Sequence, residues 1–343
     1  MADLFRVGIT RDALDDKGNL TFDASALKLL DEDKRVTWEY LSDRGANVTA
    51  DHLAKYDAIC MVAPGVQADA VGRADMRTRL LARLGVGYDH IDVPAVTKAG
   101  LVLTINPDGV RRPVATVQLT YMLALAHRML IKDKLTREGR WNDRHDHVGT
   151  GLTGRVLGSI GIGNIGAELF RLAKPLEMRH MAHDPFAKPT TFTELGVEPV
   201  DFDTVVSQSD FLVVNCPLNA KTRRLIDAKV IQGMKPTAFL INCARGPIVD
   251  EKALTEALTQ RRIAGAGIDV FEEEPTPPDN PLLKLDNVIV SPHALTYTDE
   301  CLRRLAEGSF RSVRRFLDRE PPHLLVNPDV MQHARVKEWY KAN

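Results

Sequence analysis

The sequence is poor in the residues that would mark a disulfide-bonded, metal-binding or nucleic-acid-binding chain. Its 343 residues include four cysteines, Cys60, Cys216, Cys243 and Cys301, which are far apart and lack metal-ligand spacing. We therefore predict free thiols in a reducing cytosol and no metal site. The formal net charge is −1, so no overall positive field favours nucleic acid as a partner.

Long apolar runs and low-complexity tracts are also missing from the sequence. No segment is apolar enough over its length to cross a bilayer, and the residues after Met1 lack the apolar core of a signal peptide. We therefore expect a cytoplasmic protein without a membrane partner. The length suffices to bury a large core, and two domains are the natural expectation.

A glycine-rich loop is the most informative feature that the sequence does contain. Gly161-Ile162-Gly163-Asn164-Ile165-Gly166 follows an apolar run that predicts a strand and precedes a pattern that predicts a helix. A second strand-like run then ends at Asp184, which lies 18 residues after Gly166. A glycine triplet alone is often only a turn, but strand, loop, helix, strand and acid in this order are typical of a dinucleotide site.

Each part of this motif has a physical role in such a site. Gly161 permits the tight turn, Gly163 lets the backbone approach a pyrophosphate, and Gly166 lets the helix pack closely. The helix N-terminus offers N–H groups to the phosphates. Asp184 can accept hydrogen bonds from both hydroxyls of the adenosine ribose and would repel a 2′-phosphate. These features favour NAD over NADP.

The remaining chain alternates strand-like and helix-like segments, which predicts an α/β fold with parallel sheets. In the first part, we expect strands at 5–10, 57–62, 79–84 and 101–105. In the second part, near-continuous apolar runs predict buried parallel strands at 211–215, 238–242, 266–270 and 288–290.

Proline and capping residues suggest where the long helices begin. Pro113 is expected to open a helix with few breakers before Gly139, and Asp250 to cap a helix over 251–260. Another long helix is predicted from Thr298 to Arg319. Beyond Pro321 we expect a surface tail.

Three motifs that follow predicted strands carry chemically active side chains, namely Arg245, Glu274 and His293. Because residues just past the carboxyl ends of parallel strands line the ligand crevice, we expect the three to meet beside the cofactor. Arg245 can grip a carboxylate or polarise a carbonyl, and His293 can supply a proton as hydride arrives. Glu274 can hold the orientation of the imidazole.

Each of these side chains also has a purely structural interpretation. Arg245 could cap a strand end, Glu274 could be one of three solvated acids before a proline turn, and His293 could be a satisfied loop histidine. Their order behind a dinucleotide loop favours the catalytic interpretation.

Several ordered motifs resemble those of the NAD-dependent D-2-hydroxyacid dehydrogenases, over the range from Arg83 to about Glu300. The motifs are Gly85-Val86-Gly87-Tyr88-Asp89-His90-Ile91-Asp92, the loop at 161–166, Cys216-Pro217-Leu218-Asn219 with Thr222, Ala244-Arg245-Gly246, Phe271-Glu272-Glu273-Glu274-Pro275 and Pro292-His293. The resemblance implies D stereochemistry and a catalytic set of Arg245, Glu274 and His293. It also implies that Val86 and Gly87 offer backbone N–H groups to the substrate carboxylate.

The resemblance further implies the architecture and the assembly. We expect two Rossmann-like domains with doubly wound parallel sheets and a homodimer built on the nucleotide domains. The outer, substrate-binding domain would be discontinuous, with residues 1–112 and 299–343, and the NAD-binding domain would span 113–298. Asp269 would lie near the nicotinamide amide. The full cofactor-binding prediction is Gly161, Gly163, Asn164, Ile165, Gly166, Asp184, Cys216, Pro217, Thr222, Cys243, Ala244 and Asp269, and the substrate-binding prediction is Val86, Gly87, Arg245 and His293.

Two segments depart from the family pattern, one around Arg111 and Arg112 and one around Tyr297. Arg111 or Arg112 could favour a substrate with a second acidic group, or both could contact a hinge or a partner subunit. The polar segment 140–145, which contains Trp141, could dock on a second subunit or could be a loop that tucks Trp141 against its own domain. An NAD(H)-sensing, corepressor-like protein without turnover is the alternative to an enzyme.

Overall fold

The computed structural model describes residues 4–341, and the chain divides into two compact units. The first unit is Met1–Val110 with Tyr297–Asn343, and the second is Arg111–Thr296. These boundaries lie two residues before the predicted ones. Each unit carries its own parallel sheet with helices, which confirms the predicted α/β class.

The first unit has a five-stranded sheet in which all strands are parallel. Its order is β2-β1-β3-β4-β5, with bounds β1 Phe5–Ile9, β2 Val36–Tyr40, β3 Ala58–Met61, β4 Leu80–Arg83 and β5 Val102–Thr104. The strand order reverses between β1 and β3, where Val7 pairs with both Trp38 and Ala58. β2 was not predicted, although its apolar residues Val36, Trp38 and Tyr40 alternate with polar ones as in a half-buried edge strand. The helices of this unit are α1 Lys28–Asp31, α2 Ala50–Lys55, α3 Val93–Lys98, α11 Asp299–Leu317 and α12 Ala334–Lys341.

The expected surface tail beyond Pro321 is wrong, because this segment belongs to the core of the first unit. Val330 and Val336 are buried, and the Trp339 ring stacks on Phe316 with 5.0 Å between the ring centroids. Val336 and Trp339 are spaced three residues apart on α12, so they share one helix face. The segment therefore packs in the same hydrophobic cluster as the buried residues of α11.

The second unit has a seven-stranded parallel sheet in the order β12-β11-β10-β9-β6-β7-β8. The strands are β6 Val156–Ile160, β7 Arg179–His183, β8 Glu198–Pro199, β9 Phe211–Val214, β10 Phe239–Asn242, β11 Gly265–Ile268 and β12 Val288–Val290. The helices between them are α6 Asn164–Ala173, α7 Pro189–Leu195, α8 Phe202–Gln208, α9 Ala228–Gly233 and α10 Glu251–Thr259. The strand order reverses between β6 and β9, which is the point where dinucleotides bind in such sheets.

Both faces of this sheet are covered by apolar packing. Leu212 and Leu240 belong to one buried cluster, whereas their neighbours Val213 and Ile241 belong to a second one. Because successive strand residues point to opposite faces, the two clusters lie on opposite sides of the sheet. This arrangement confirms the doubly wound sheet and explains why the strands read as continuous apolar runs.

The long helix does not open at Pro113, contrary to the prediction. α4 spans Pro107–Ala126 and contains Pro113 in its interior. The Asn106 side chain accepts a hydrogen bond from the Gly109 N–H at 3.2 Å, so Asn106 acts as the cap and Pro107 takes the first helical position.

The long helix also ends earlier than expected, at Ala126. Arg128 adopts a left-handed conformation with φ of 51°, and a separate helix, α5 Met129–Arg137, follows. No single helix among residues 4–341 has the length and apolar character of a membrane span, although the bent pair α4–α5 does by length and composition alone.

Candidate active site

The glycine-rich loop is a tight turn between β6 and α6. Gly161 has φ of +97°, and a Cβ there would lie 2.7 Å from the carbonyl oxygen of Asn215. A Cβ on Gly166 would lie 2.7 Å from the carbonyl oxygen of Gly161, so the helix approaches its own loop too closely for a side chain. By contrast, a Cβ on Gly163 would meet nothing within 4 Å. The loop is therefore too tightly packed for side chains at Gly161 and Gly166, whereas Gly163 faces open space.

A buried hydrogen-bond network fixes the conformation of this loop. The Ser159 hydroxyl donates to the Gly161 carbonyl at 2.6 Å and accepts from the Asn215 amide at 3.0 Å. Gln118 of α4 in turn donates to the Asn215 side chain at 2.7 Å. Residues of three separate elements therefore hold the turn.

Asp184 lies at the end of β7 and is tied to the glycine loop. Its Oδ2 accepts from the Ile162 N–H and its Oδ1 accepts from the Phe186 N–H, both at 2.9 Å. A carboxylate oxygen has a second lone pair, so each oxygen can still accept a ribose hydroxyl. The turn open at Gly163, the α6 N-terminus behind it and this acid together fit a bound dinucleotide.

Five more of the predicted cofactor residues follow β9 and β10, the strands that come after β6 in the sheet. Cys216 and Pro217 follow β9, and the Thr222 hydroxyl donates to the Pro217 carbonyl at 2.6 Å. Cys243 and Ala244 follow β10. Burial raises the pKa of Cys216 to about 11 and that of Cys243 well above its usual range, so both thiols are protonated and inert near neutral pH.

Arg245, Glu274 and His293 follow three adjacent strands, β10, β11 and β12. Nδ1 of His293 lies 2.8 Å from Oε2 of Glu274, and Oε1 of Glu274 accepts from the Phe271 N–H at 3.0 Å. The structure thus brings the predicted acid and imidazole into direct contact. Arg245 lies on the neighbouring loop, where its Nη1 donates to the Ala244 carbonyl at 2.7 Å.

The loops that carry Arg245 and Glu274 are pressed against each other. A Cβ on Gly246 would fall 1.8 Å from the Phe271 carbonyl oxygen, so only glycine allows this approach.

Burial acts to raise the pKa of Glu274, but hydrogen bonds from His293 and the Phe271 N–H, together with the Arg245 charge, outweigh it. The pKa of Glu274 therefore lies below its usual value, and the carboxyl is ionised near neutral pH.

The backbone of His293 is unusual. It has φ of +52°, in the left-handed region that residues other than glycine rarely adopt, and its N–H donates to the Ser291 carbonyl at 3.0 Å. Such strain is retained mainly where the surrounding structure requires it, often at functional sites. This conformation directs the imidazole to Glu274.

Asp269 is held by Ser291, which in turn contacts Tyr121, and the sequence assigned neither residue to the site. Ser291 donates to Oδ1 of Asp269, and Tyr121 of α4 lies 2.8 Å from the Ser291 hydroxyl. Gly267 inside β11, a strand that also contains Gly265, was a usable signal, since glycine in a strand suggests close approach of another group. Here that group is the Tyr121 ring, 2.6 Å from where a Cβ would stand.

The predicted substrate residues Val86 and Gly87 belong to the first unit, where they follow β4. The loop is fixed at two carbonyls, because Gly85 accepts from the Asn106 N–H at 2.8 Å and Gly87 accepts from Arg83 Nε at 2.7 Å. At the same edge of the sheet, the loops after β1, β2 and β3 enclose a cavity of about 310 Å³, which Arg11 and His52 help to line.

Of the two arginines that depart from the family pattern, Arg112 has a defined partner in the second unit. Its Nη1 lies 2.8 Å from Oε1 of Glu168 on α6, and Arg171 is 3.4 Å from the other oxygen. The Arg112 charge is therefore offset by an acid on the helix that follows the glycine loop.

Comparisons with known proteins agree on one family. The D-isomer specific 2-hydroxyacid dehydrogenase, NAD binding domain, matches residues 119–294. A glyoxylate reductase of Korarchaeum cryptofilum is 36% identical over 298 residues, which cover 86% of this chain and 90% of the relative. A D-3-phosphoglycerate dehydrogenase of Archaeoglobus fulgidus is 40% identical over 249 residues, which cover 72% of this chain but only 47% of the relative.

A solved structure has the same fold over nearly the whole chain. A protein of Thermus thermophilus superposes with a TM-score of 0.81 at 28% identity, covering 94% of this chain and all of that protein. The chain therefore spans nearly the full length of a glyoxylate reductase and about half the length of a phosphoglycerate dehydrogenase.

Proposed function

Because this chain belongs to the D-isomer specific 2-hydroxyacid dehydrogenases, which are NAD-dependent oxidoreductases, we propose that Arg245, Glu274 and His293 are its catalytic residues. The reaction that we propose is reversible hydride transfer between NAD(H) and a small D-2-hydroxy acid or the matching 2-oxo acid. The observation that carries this proposal is the hydrogen bond between Glu274 and His293, formed beside the Arg245 loop at one edge of the sheet.

The proton chemistry follows from this hydrogen bond. When bound in the second unit, NAD(H) would supply or accept the hydride. In the reducing direction, the oxygen of the 2-oxo group gains negative charge as its carbon receives the hydride, and Nε2 of His293 donates the proton that neutralises it. Ionised Glu274 holds Nδ1, which fixes the ring and stabilises the imidazolium before the proton leaves.

Arg245 and the loop after β4 would bind the substrate itself. A guanidinium can stabilise charge on the carbonyl oxygen or pair with the substrate carboxylate. The resemblance assigns the backbone N–H groups of Val86 and Gly87 to that carboxylate. In the second unit, the open turn at Gly163 and the Asp184 carboxylate would hold the pyrophosphate and the adenosine ribose.

Glyoxylate is the first substrate to test, since relatives that match over most of their length are named glyoxylate reductases. The experiment follows NADH and NADPH absorbance with a panel of 2-oxo acids that includes glyoxylate, dicarboxylic acids and sugar-derived acids. We expect turnover with NADH on at least one of them, and its abolition in a His293→Ala variant. NADH binding without turnover on any acid would contradict the proposal.

A homodimer through the second unit is also proposed. Among residues 4–341, five of the eleven exposed large apolar side chains lie in one segment: Leu123, Met129, Leu130, Trp141 and Val148. Trp141 is 65% exposed, so it is not tucked against its own unit. Such a concentration of apolar surface is typical of a protein interface. We expect a dimer by light scattering, and a shift to monomer in Leu130→Asp.

We also propose a cytoplasmic location. Its support is that all four cysteines are free thiols, as is usual in a reducing compartment.

A further inference from the structure

A tyrosine hydroxyl from α4 reaches the carboxyl ends of β11 and β12. Tyr121 is 1% exposed, and its ring fills the space that the missing side chain of Gly267 leaves. The phenol oxygen lies 3.2 Å from the Ile268 carbonyl and 2.8 Å from the Ser291 hydroxyl. A polar group carried this deep into a packed core requires such partners, since an unsatisfied hydroxyl there is costly.

The Ser291 hydroxyl connects this phenol to Asp269. It donates to Oδ1 of Asp269, and the same oxygen accepts from the Leu295 N–H at 3.3 Å. Asp269 is 2% exposed, and burial raises the pKa of its carboxyl. The two donors therefore stabilise a charge that has lost most of its water.

When Asp269 is ionised, its charge sets the direction of each proton in the chain Tyr121–Ser291–Asp269. An ionised carboxylate only accepts hydrogen bonds, so the Ser291 proton must point to Asp269. The Ser291 oxygen is then free to accept from the Tyr121 hydroxyl, whose single proton is shared between Ser291 at 2.8 Å and the more distant Ile268 carbonyl at 3.2 Å. Because each hydroxyl has a single proton, the chain Tyr121–Ser291–Asp269 has one consistent direction, and each link strengthens the next.

We infer that Tyr121 and Ser291 are positioning residues, which fix the rotation of the Asp269 carboxylate so that it can accept a hydrogen bond from the carboxamide of the nicotinamide. This inference rests on the role that the proposed function gives to Asp269. Ser291 and the Leu295 N–H hold Oδ1, and Tyr121 of α4 holds Ser291. These contacts together fix the plane of the whole carboxylate. A carboxylate held in one orientation binds an amide with less loss of entropy than a rotating one.

The test compares two dinucleotides that differ only at this amide. NAD⁺ has the carboxamide, and 3-acetylpyridine adenine dinucleotide has a methyl ketone without an N–H donor. We measure both dissociation constants by calorimetry and take their ratio, which is independent of turnover. Ser291→Ala should reduce the preference for NAD⁺ by about five- to tenfold, and Tyr121→Phe by about two- to fivefold. Ser291→Thr, which retains the hydroxyl, should restore most of the preference.

Ser209→Ala is the matched control. Ser209 is also buried in the second unit, but its hydroxyl donates only to the Val205 carbonyl at the end of α8. This variant should lose stability to a similar extent while it retains the wild-type ratio. A Ser291→Ala variant with the wild-type ratio would overturn the inference.

The Asp269→Asn variant separates this inference from the assignment of Asp269. It should lower the preference by itself, and Ser291→Ala should then add nothing in that background, because both act through one carboxylate. An additional loss in the double variant would show that Ser291 acts independently and would overturn the inference. If Asp269→Asn leaves the ratio unchanged, Asp269 does not bind the amide, and both assignments are wrong.

Discussion

The carboxyl edges of the two sheets present polar groups in different ways. In the seven-stranded sheet, charged side chains follow successive strands and are fixed by hydrogen bonds, as Glu274 and His293 are at 2.8 Å. In the five-stranded sheet, the loop after β4 is fixed through its carbonyls, with Gly87 bonded to Arg83. The first edge is suited to moving protons and charge, and the second to orienting a ligand by its backbone. Substitutions at the first edge should therefore affect kcat, and those at the second should affect KM.

The largest effect is expected at His293. His293→Ala should lower kcat by about 10²- to 10⁴-fold, because the variant lacks the proton donor, while the dissociation constant of NADH changes little. Stopped-flow turnover and fluorescence titration measure the two quantities. His323→Ala, which alters an exposed histidine of the first unit, is the control. An equal loss of turnover and of NADH affinity would indicate a structural histidine.

A smaller effect is expected at Asp184. Asp184→Ala should narrow the preference for NADH over NADPH by about tenfold, since it removes two hydrogen-bond acceptors and a charge that repels the 2′-phosphate. The ratio of kcat/KM values is the relevant quantity, because the loss of the bonds to Ile162 and Phe186 loosens the loop for both cofactors alike. An unchanged ratio would be inconsistent with the ribose role.

A substitution of Arg83 tests the carboxyl edge of the five-stranded sheet directly. Arg83→Met removes the hydrogen bond to the Gly87 carbonyl and should raise KM for the 2-oxo acid by about fivefold, with kcat nearly unchanged. Arg79→Met is the matched control, since Arg79 immediately precedes β4. If kcat fell as far as kcat/KM in Arg83→Met, the proposed division between the two edges would be wrong.

The smallest effect concerns the pH dependence of stability. Burial raises the pKa of Asp269 above its ordinary value of 3.8, so the native state binds this proton more tightly than the unfolded chain. The wild type therefore loses stability as pH rises through 3.8 towards the native pKa, and Asp269→Asn removes that loss. Urea unfolding at a series of pH values above 3.8 should show the variant gaining stability relative to the wild type as the pH rises. A constant difference would contradict the raised pKa.

The two edges also differ in how far the sequence predicts them. The strands of the second unit are continuous apolar runs, and motifs such as Pro292-His293 follow them directly, so both the fold and the side-chain contacts could be anticipated. Tyr121 could not, because its contact with Ser291 joins residues far apart in the chain and is set by the packing of α4 on β11. In the first unit, β2 and α12 were missed because they are short, with five and eight residues, and only partly buried.

The route of the chain through the first unit has a consequence for how the protein is made. β1, at the start of the chain, lies under α11 and α12, at its end: Phe5 packs on Phe316 and on Trp339, with ring centroids 6.4 and 5.8 Å apart. On a ribosome, residues 111–296 emerge and can fold before those closing aromatic side chains have been synthesised. The nucleotide-binding unit should therefore mature first, and the N-terminal strands should wait as a nascent, chaperone-accessible segment until Phe316 and Trp339 have been synthesised.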